Sequence, residues 1–202
     1  MTEPLLDPDP KRKKPSLSSV LIPAAIILAL VLVGLSTLKS FDKKTGPTTE
    51  AGHEHFDMSL GTVLPDLEFH TLDQAKVKLS SISSKVVLIN FWASWCSPCI
   101  AEIPSINALR KKYHDQGFEV IGINVDENPA EVLPKFQKKL GMEFTSYQDV
   151  EGELADQFGV NGIPFTVILD KNRKILQVET GDRDWFDPEM KKQMESWLQD
   201  KS

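Results

Sequence analysis

The stretch "VVLINFWASWCSPCIAEIP", residues 86–104, contains both cysteines of the 202-residue chain. Its first half is a nearly continuous apolar run, which is typical of a strand buried on both faces. From Cys99 onward, apolar residues recur every three to four positions, which predicts a helix. Cys96 and Cys99 are therefore predicted to lie where a buried strand gives way to a helix N-terminus.

Four kinds of site can use a cysteine pair of this spacing. A structural disulfide across two intervening residues removes little entropy from the unfolded chain. A zinc site needs four ligands, and the chain has no second cysteine pair. A c-type haem site needs His after the second cysteine, where this chain has Ile100. We favour a redox-active dithiol, because unpaired amides and the helix dipole stabilise a thiolate at Cys96.

Residues 17–38 contain no charged residue and are long enough, at about 33 Å as a helix, to cross a hydrocarbon core. "KRKK" at residues 11–14 precedes this run, so the N-terminus is predicted to stay in the cytoplasm. The alternative is a cleaved signal peptide, but the run exceeds a typical signal and no A-x-A site follows. Both interpretations export residues 41–202.

The chain is thus predicted to have four parts. They are a cytoplasmic tail at residues 1–16, a transmembrane anchor at 17–38, a flexible tether at 39–58 and one globular domain at 59–202. The domain is expected to face the periplasm or the cell exterior, held at the cytoplasmic membrane by a single span.

The charge of the exported part excludes one class of partner. Of 23 Lys and Arg residues, five precede residue 41, as do three of the 29 Asp and Glu residues. Residues 41–202 therefore carry a formal net charge of −8, which argues against nucleic-acid binding. His53, His55 and Asp57 are interpreted as part of a solvated linker, not as a metal site, because no fourth ligand is near.

Periodicity and turn residues predict alternating strands and helices in the domain. The predicted strands are 67–73 and 75–82 in a hairpin, 85–92, 118–125, and 165–170 and 174–180 in a second hairpin. The predicted helices are 100–114, 129–140, 152–159 and 187–199, the last capped by Asp187. Pro134 predicts a helix that starts late or bends, and segment 126–150 is expected to be a surface insertion. The fold class is α/β with a mixed central sheet.

Together with "GVNGIPFTVILD" at 159–170 and "GDRDWF" at 181–186, the cysteine stretch resembles the membrane-anchored thioredoxin-like proteins of the TlpA/ResA/CcmG type. The resemblance covers residues 60–200. It implies a thioredoxin fold and thiol–disulfide exchange without a cofactor. In many members the substrate is the haem-binding CxxC of apocytochrome c. The resemblance also implies a membrane electron donor of the DsbD type.

The resemblance assigns expected roles to the residues around the dithiol. Cys96 is expected to be the attacking thiol, exposed at the turn, and Cys99 the resolving thiol, so that the two form the redox disulfide. Pro164 resembles the cis-proline that faces the dithiol in this fold. Ile163, just before it, is expected to offer its backbone to an extended substrate.

Neighbouring residues complete this expected site. Pro98 restricts the turn between the cysteines, because its ring fixes the backbone and it lacks an N–H. Trp95 is expected to flank the exposed sulfur and to contact substrate. Trp92 is assigned to the core. Pro104 is expected to kink the helix, as in the family.

The chain departs from general thioredoxins at a buried position. They usually carry Asp in the strand before the motif, where this chain has Asn90, which cannot take a proton. Glu102 lies three residues after Cys99 on the same side of the helix, and we predict that it exchanges protons with Cys99. The alternative is a solvated helix glutamate.

Two other functions remain open for the sequence. A thiol peroxidase of the same superfamily commonly has a peroxidatic cysteine without a CxxC partner. A non-catalytic copper-handling module uses wider cysteine spacing and a distal His, whereas the only His after Cys99 is His114. The favoured function is reduction of disulfides in exported proteins.

Overall fold

The computed structural model describes residues 55–200. The predicted tail, the anchor at 17–38 and most of the tether lie outside the described residues. Within the part described, no helix combines the length and apolar character needed to span a bilayer.

A seven-stranded sheet forms the centre of the domain, with the strand order β2-β1-β5-β4-β3-β6-β7. The strands are β1 Glu68–His70, β2 Lys76–Lys78, β3 Val86–Trp92, β4 Phe118–Asn124, β5 Thr145–Gln148, β6 Phe165–Asp170 and β7 Ile175–Thr180. Strands β3, β4 and β5 run parallel, and the other pairings are antiparallel. The predicted mixed sheet and its two hairpins are confirmed.

Within residues 55–200, four α-helices accompany the sheet. They are α1 Ser97–Tyr113, α2 Pro129–Leu140, α3 Glu153–Gln157 and α4 Pro188–Gln199, with short 3-10 turns at Leu79–Ser81 and His114–Gln116. The predicted cap of α4 is confirmed, because the Asp187 carboxylate accepts the Met190 N–H at 2.7 Å. Such a cap satisfies one of the N–H groups that the first helical turn leaves unpaired.

The segment 126–150 differs from the prediction in two respects. Its helix begins at Pro129 and continues through Pro134, so the alternative of a late start is wrong. Its second half is β5, a strand of the sheet whose last three residues are buried, and not a surface insertion. The sequence "TSYQ" does not predict a buried strand, because the buried residues are polar. Ser146, for example, accepts the Trp92 indole N–H at 2.9 Å.

The packed domain also begins earlier than residue 59. The Phe56 N–H donates to the Gln157 carbonyl at 2.7 Å, and the Phe56 ring meets Phe158 edge-on with centroids 5.3 Å apart. These contacts tie the predicted end of the tether to α3.

Buried side chains form two apolar cores. One contains residues of α1 and α4, both cysteines, Leu88 and Trp92 of β3, and Trp185 from the loop before α4. The other contains the alternate β3 residues Ile89 and Phe91. This alternation explains the continuous apolar run, since every residue of β3 is buried. The redox pair therefore belongs to the first core, at the end of a central strand.

Candidate active site

The two cysteines occupy the start of α1, as the sequence predicts. Strand β3 ends at Trp92, a short turn follows, and Cys96 is the N-cap of the helix. Cys96 and Cys99 form a disulfide with their Cα atoms 5.3 Å apart, so the structure is that of the oxidised protein. The Cys99 N–H points at the Cys96 Sγ from 3.2 Å. A thiolate at Cys96 would receive the same N–H and the positive end of the helix dipole.

The exposure of Cys96, the predicted attacking cysteine, differs from the prediction. Cys96 is only 5% exposed, and Cys99 is fully buried. The side chains that face solvent are those beside Cys96, with Trp95 68% exposed and Pro98 also exposed. The turn therefore presents Trp95 to a partner and leaves a small part of Cys96 accessible at its base.

The segment before β6 lies against the dithiol. The Ile163–Pro164 peptide bond is cis, as the resemblance implies. The Ile163 carbonyl oxygen lies 3.7 Å from the Cys96 Sγ, although 67 residues separate them in sequence. Pro164 is buried, and its carbonyl accepts the Gly181 N–H at 2.9 Å. The structure thus brings the Ile163–Pro164 segment to Cys96.

Glu102 is buried, with only 2% of its surface exposed, so it is not a solvated helix glutamate. Its Oε1 accepts the Asn90 side-chain N–H at 2.7 Å, and its Oε2 accepts the Trp185 indole N–H at 2.8 Å. Burial raises the pKa of Glu102 above its usual value, because the low dielectric disfavours the charged form. The hydrogen bonds from Trp185, Asn90 and the Arg183 backbone oppose this rise in part.

Asn90 can serve both protonation states of this carboxyl. In the orientation described, its Nδ2 donates to Glu102 and to the Thr166 hydroxyl oxygen at 2.9 Å, and its Oδ1 has no hydrogen-bond partner among the described residues. Rotating the carboxamide by half a turn would exchange the oxygen and the nitrogen. Its oxygen would then accept from a protonated Glu102.

Sequence reasoning missed Trp185 as a partner of Glu102. Its backbone N–H donates to the Ser105 hydroxyl at 3.0 Å, and that hydroxyl donates to the Glu102 carbonyl at 2.8 Å. The Arg183 guanidinium lies 5.1 Å from the centre of the Trp185 ring. The motif "GDRDWF" marked this loop, but nothing in the sequence indicates that the indole reaches a carboxylate 83 residues earlier.

A second buried carboxylate fixes the turn before the dithiol. Asp126 accepts the Ser94 N–H at 2.9 Å, the Ser94 hydroxyl at 2.8 Å and the Asn124 side-chain N–H at 2.7 Å. Asp126 was predicted to lie in a surface insertion, yet it is 4% exposed. Its hydrogen bonds link the end of β4 to the residues that present Cys96.

The end of the predicted tether, at His55 and Asp57, forms contacts with the domain. His55 Nδ1 lies 2.5 Å from the Asp156 carbonyl, and Asp57 accepts the Ser59 N–H at 3.0 Å. Residue 53 falls outside the described part of the chain. Among residues 55–200, no three His, Cys, Asp or Glu side chains are grouped as a metal ion would require.

Comparisons with known proteins agree with this chemistry. The Redoxin family model matches residues 59–194. The thiol-disulfide oxidoreductase ResA of Geobacillus thermodenitrificans is 33% identical over 124 residues, which cover 61% of this chain and 71% of that protein. ResA of Bacillus thuringiensis is 32% identical over 141 residues, covering 70% of this chain and 78% of that protein.

A solved structure shares both the fold and part of the sequence. A crystal structure from Chlorobium tepidum, assigned to thiol:disulfide interchange protein DsbE, is 32% identical, with a TM-score of 0.63. The match covers 70% of this chain and 99% of that one. The mixed sheet, the helices and the Cys96–Cys99 pair fit these relatives. The chain belongs to the Redoxin family, as a thioredoxin-like thiol–disulfide oxidoreductase of the TlpA/ResA/CcmG type.

Proposed function

We propose that the protein is an exported, membrane-anchored reductant of protein disulfides that serves cytochrome c maturation. The observation that carries the proposal is the position of the Cys96 Sγ, 3.7 Å from the Ile163 carbonyl, at the N-terminus of α1. A substrate strand that pairs with the backbone at Ile163 brings its own disulfide to Cys96.

The reaction is a two-step exchange. In the reduced protein, the Cys96 thiolate attacks one sulfur of the substrate disulfide; a mixed disulfide forms, and the other substrate sulfur leaves as a thiolate and takes a proton. The Cys99 thiolate then attacks the Cys96 sulfur. The Cys96–Cys99 disulfide forms, the second substrate sulfur leaves, and two electrons have passed to the substrate.

Glu102 supplies the proton acceptor for the second step. Cys99 is fully buried, so its thiol is hard to ionise without a nearby base. Glu102 lies three residues later on α1 and is also buried, and its raised pKa brings its proton exchange closer to neutral pH. Asn90, by rotating its carboxamide, keeps a hydrogen bond to Glu102 before and after the proton moves.

The surroundings of Cys96 favour a reductant. Strongly oxidising dithiols owe their potential to a stabilised thiolate in the reduced form. The residues that line the groove beside Trp95 and Ile163 include two carboxylates, Asp149 and Glu151, and no basic side chain. These carboxylates would oppose the stabilisation that the helix N-terminus gives a Cys96 thiolate, and this supports a reductant.

The sequence supports a location for the protein, and the family resemblance supports an electron donor. The uncharged run 17–38 behind "KRKK" supports a single-pass anchor in the cytoplasmic membrane, with the domain in the periplasm or outside the cell. A reductant in such an oxidising compartment needs a supply of electrons from the cytoplasm. A membrane dithiol donor of the DsbD type would supply them by reducing Cys96–Cys99.

The test uses the full chain, reduced and freed of excess reductant. It is mixed with an oxidised peptide that carries the haem-binding CxxCH of an apocytochrome c, and peptide thiols are counted by alkylation and mass spectrometry. We expect one peptide disulfide to be reduced for each Cys96–Cys99 bond formed, and none by Cys96→Ser. An inert wild type would refute the proposal, and faster turnover of hydrogen peroxide than of peptide would favour the peroxidase alternative.

Anchoring is tested separately. The full chain should fractionate with membranes, and an added protease should reach its C-terminal domain from outside. A soluble form whose N-terminus begins near Ser40 would show that the run 17–38 is cleaved.

A further inference from the structure

A groove with a volume of about 470 Å³ opens beside the dithiol. Its apolar lining comes from Trp95, Val125, Val150, Val160 and Ile163, and we call it the Trp95 groove. Ile163 belongs both to this groove and to the contact with the Cys96 Sγ. The groove is therefore continuous with the place where a substrate sulfur must arrive.

The Trp95 groove exposes apolar surface to solvent. Five large apolar side chains of residues 55–200 are exposed, and two of them, Trp95 at 68% and Val150 at 44%, line this groove. Isolated exposed apolar residues need no explanation, but two in one concave surface beside a reactive group indicate a binding site. An apolar side chain of a partner would remove this surface from water.

Carboxylates border the same groove. Glu151 is exposed at its rim, and Glu153 and Asp156 are exposed on the adjoining helix α3. Asp149 also lines the groove, but its oxygens already accept the N–H groups of Leu154 and Ala155. The rim thus carries the exposed carboxylate of Glu151, and no lysine or arginine is among the residues that line the groove.

The geometry of an extended substrate decides which of its side chains enters the Trp95 groove. Side chains on one face of a strand lie about 7 Å apart, at every second residue. A substrate cysteine at Cys96 therefore places a residue two positions away on the same face, toward the backbone of residues 161–163 and the groove. Because Glu151 borders the same groove, we expect the flanking residues to lie nearest its carboxylate.

We infer that the Trp95 groove selects basic, extended peptide segments that carry a large apolar side chain two residues from the reacting cysteine. The apolar side chain packs against Trp95 and Val150, and lysine or arginine nearby faces Glu151. This inference rests on the proposed function and names the chemistry of its substrate.

The test compares four oxidised CxxC peptides in reactions with the full, reduced chain. Each peptide carries either Leu or Ala at the positions two residues before and two residues after a cysteine. Each of these two versions carries either Lys or Glu at the positions beside that residue, which gives the four peptides. We expect the Leu peptide to have a kcat/KM about ten-fold above that of the Ala peptide, for half-burial of the extra carbons. We expect Lys to exceed Glu by roughly two- to five-fold per charge at low salt, with the difference falling at high salt.

Two variants and a matched control assign the effects to the groove. Glu151→Lys should bring the Lys-to-Glu ratio to one or below, and Val150→Ser should reduce the Leu-to-Ala ratio. Glu143→Lys makes the same charge change at the opposite end of β5, outside the groove, and should keep the wild-type ratios. Because each readout is a ratio between peptides, a general change in reactivity cancels.

The outcomes separate this inference from the proposed function. If the wild type reduces all four peptides at equal rates, or if Glu151→Lys and Glu143→Lys give equal ratios, the selectivity is wrong and the reductase stands. If the wild type reduces none of the peptides, nor 2-hydroxyethyl disulfide, the proposed function fails and the inference fails with it.

Discussion

Replacing Trp185 with Phe removes one specific donor from the buried carboxyl group. The Glu102 Oε2 loses an indole N–H that lies 2.8 Å away and keeps the bonds from Asn90 and from the Arg183 backbone. That N–H stabilises the ionised form, so its loss raises the pKa of Glu102 further. If the Glu102 carboxylate accepts the proton of Cys99, the acid limb of the pH–rate profile for resolution moves to higher pH.

The same change has a calculable effect on stability. A hydrogen bond to a charged group contributes about 1.5–3 kcal/mol to the free energy of unfolding, and one between neutral groups about 0.5–1.5 kcal/mol. The pKa of Glu102 is higher in the folded protein than in the unfolded chain, where it is near 4.5. The protonated carboxyl therefore stabilises the fold at pH values below the unfolded pKa. This stabilisation is lost as the pH rises through the folded pKa. The free energy lost in Trp185→Phe should therefore be about 1 kcal/mol larger above the folded pKa of Glu102 than below it.

The chain provides a matched control in Trp92→Phe. Trp92 is also fully buried in the first core, but its indole N–H donates to the neutral Ser146 hydroxyl at 2.9 Å. Both variants lose ring volume, and that loss does not depend on pH. Urea unfolding of the oxidised protein over a series of pH values measures each difference. Equal pH dependence in the two variants, with coincident pH–rate profiles, would show that Trp185 only fills space and that the reasoning about Glu102 is wrong.

Three further predictions concern the mechanism and the fold. Glu102→Gln should leave the first attack by Cys96 largely intact and slow resolution, by as much as ~10²-fold, because proton transfer is lost; stopped-flow reduction of a CxxC peptide that gives superimposable pH–rate curves would exclude this transfer. Cys99→Ser should accumulate a mixed disulfide between Cys96 and the peptide, detected by intact mass, and release of product at the wild-type rate would contradict the order of attack. Asp187→Ala should cost about 0.5–2 kcal/mol in urea unfolding, since α4 loses its cap, and an unchanged midpoint would count against that contribution.

The sequence was sufficient to predict those elements that depend on interactions between residues close together in the chain. The apolar run of β3, the helix start at Cys96 and the cap at Asp187 follow from periodicity and helix-end chemistry, and all three are present. The cis bond at Pro164 came from the resemblance, since nothing in the residues beside it requires that isomer.

The sequence was insufficient to predict burial where it depends on packing between residues far apart in the chain. Strand β5 is polar, and its burial is explained only by partners such as the Trp92 indole, which bonds Ser146 54 residues away. Cys96 was expected to be exposed, and its burial depends on the distant Ile163 segment. The burial of Glu102 depends in the same way on the loop that contains Trp185.

The redox potential of the Cys96–Cys99 pair tests the central claim most directly. The protein is equilibrated with glutathione or dithiothreitol buffers of graded composition, and the fraction of disulfide is counted by alkylation and mass spectrometry. We predict a single two-electron transition, in which the ratio changes ten-fold per 29.6 mV, at a potential more negative than about −180 mV. A potential near about −120 mV, at the strongly oxidising end, would contradict the assignment of the protein as a reductant.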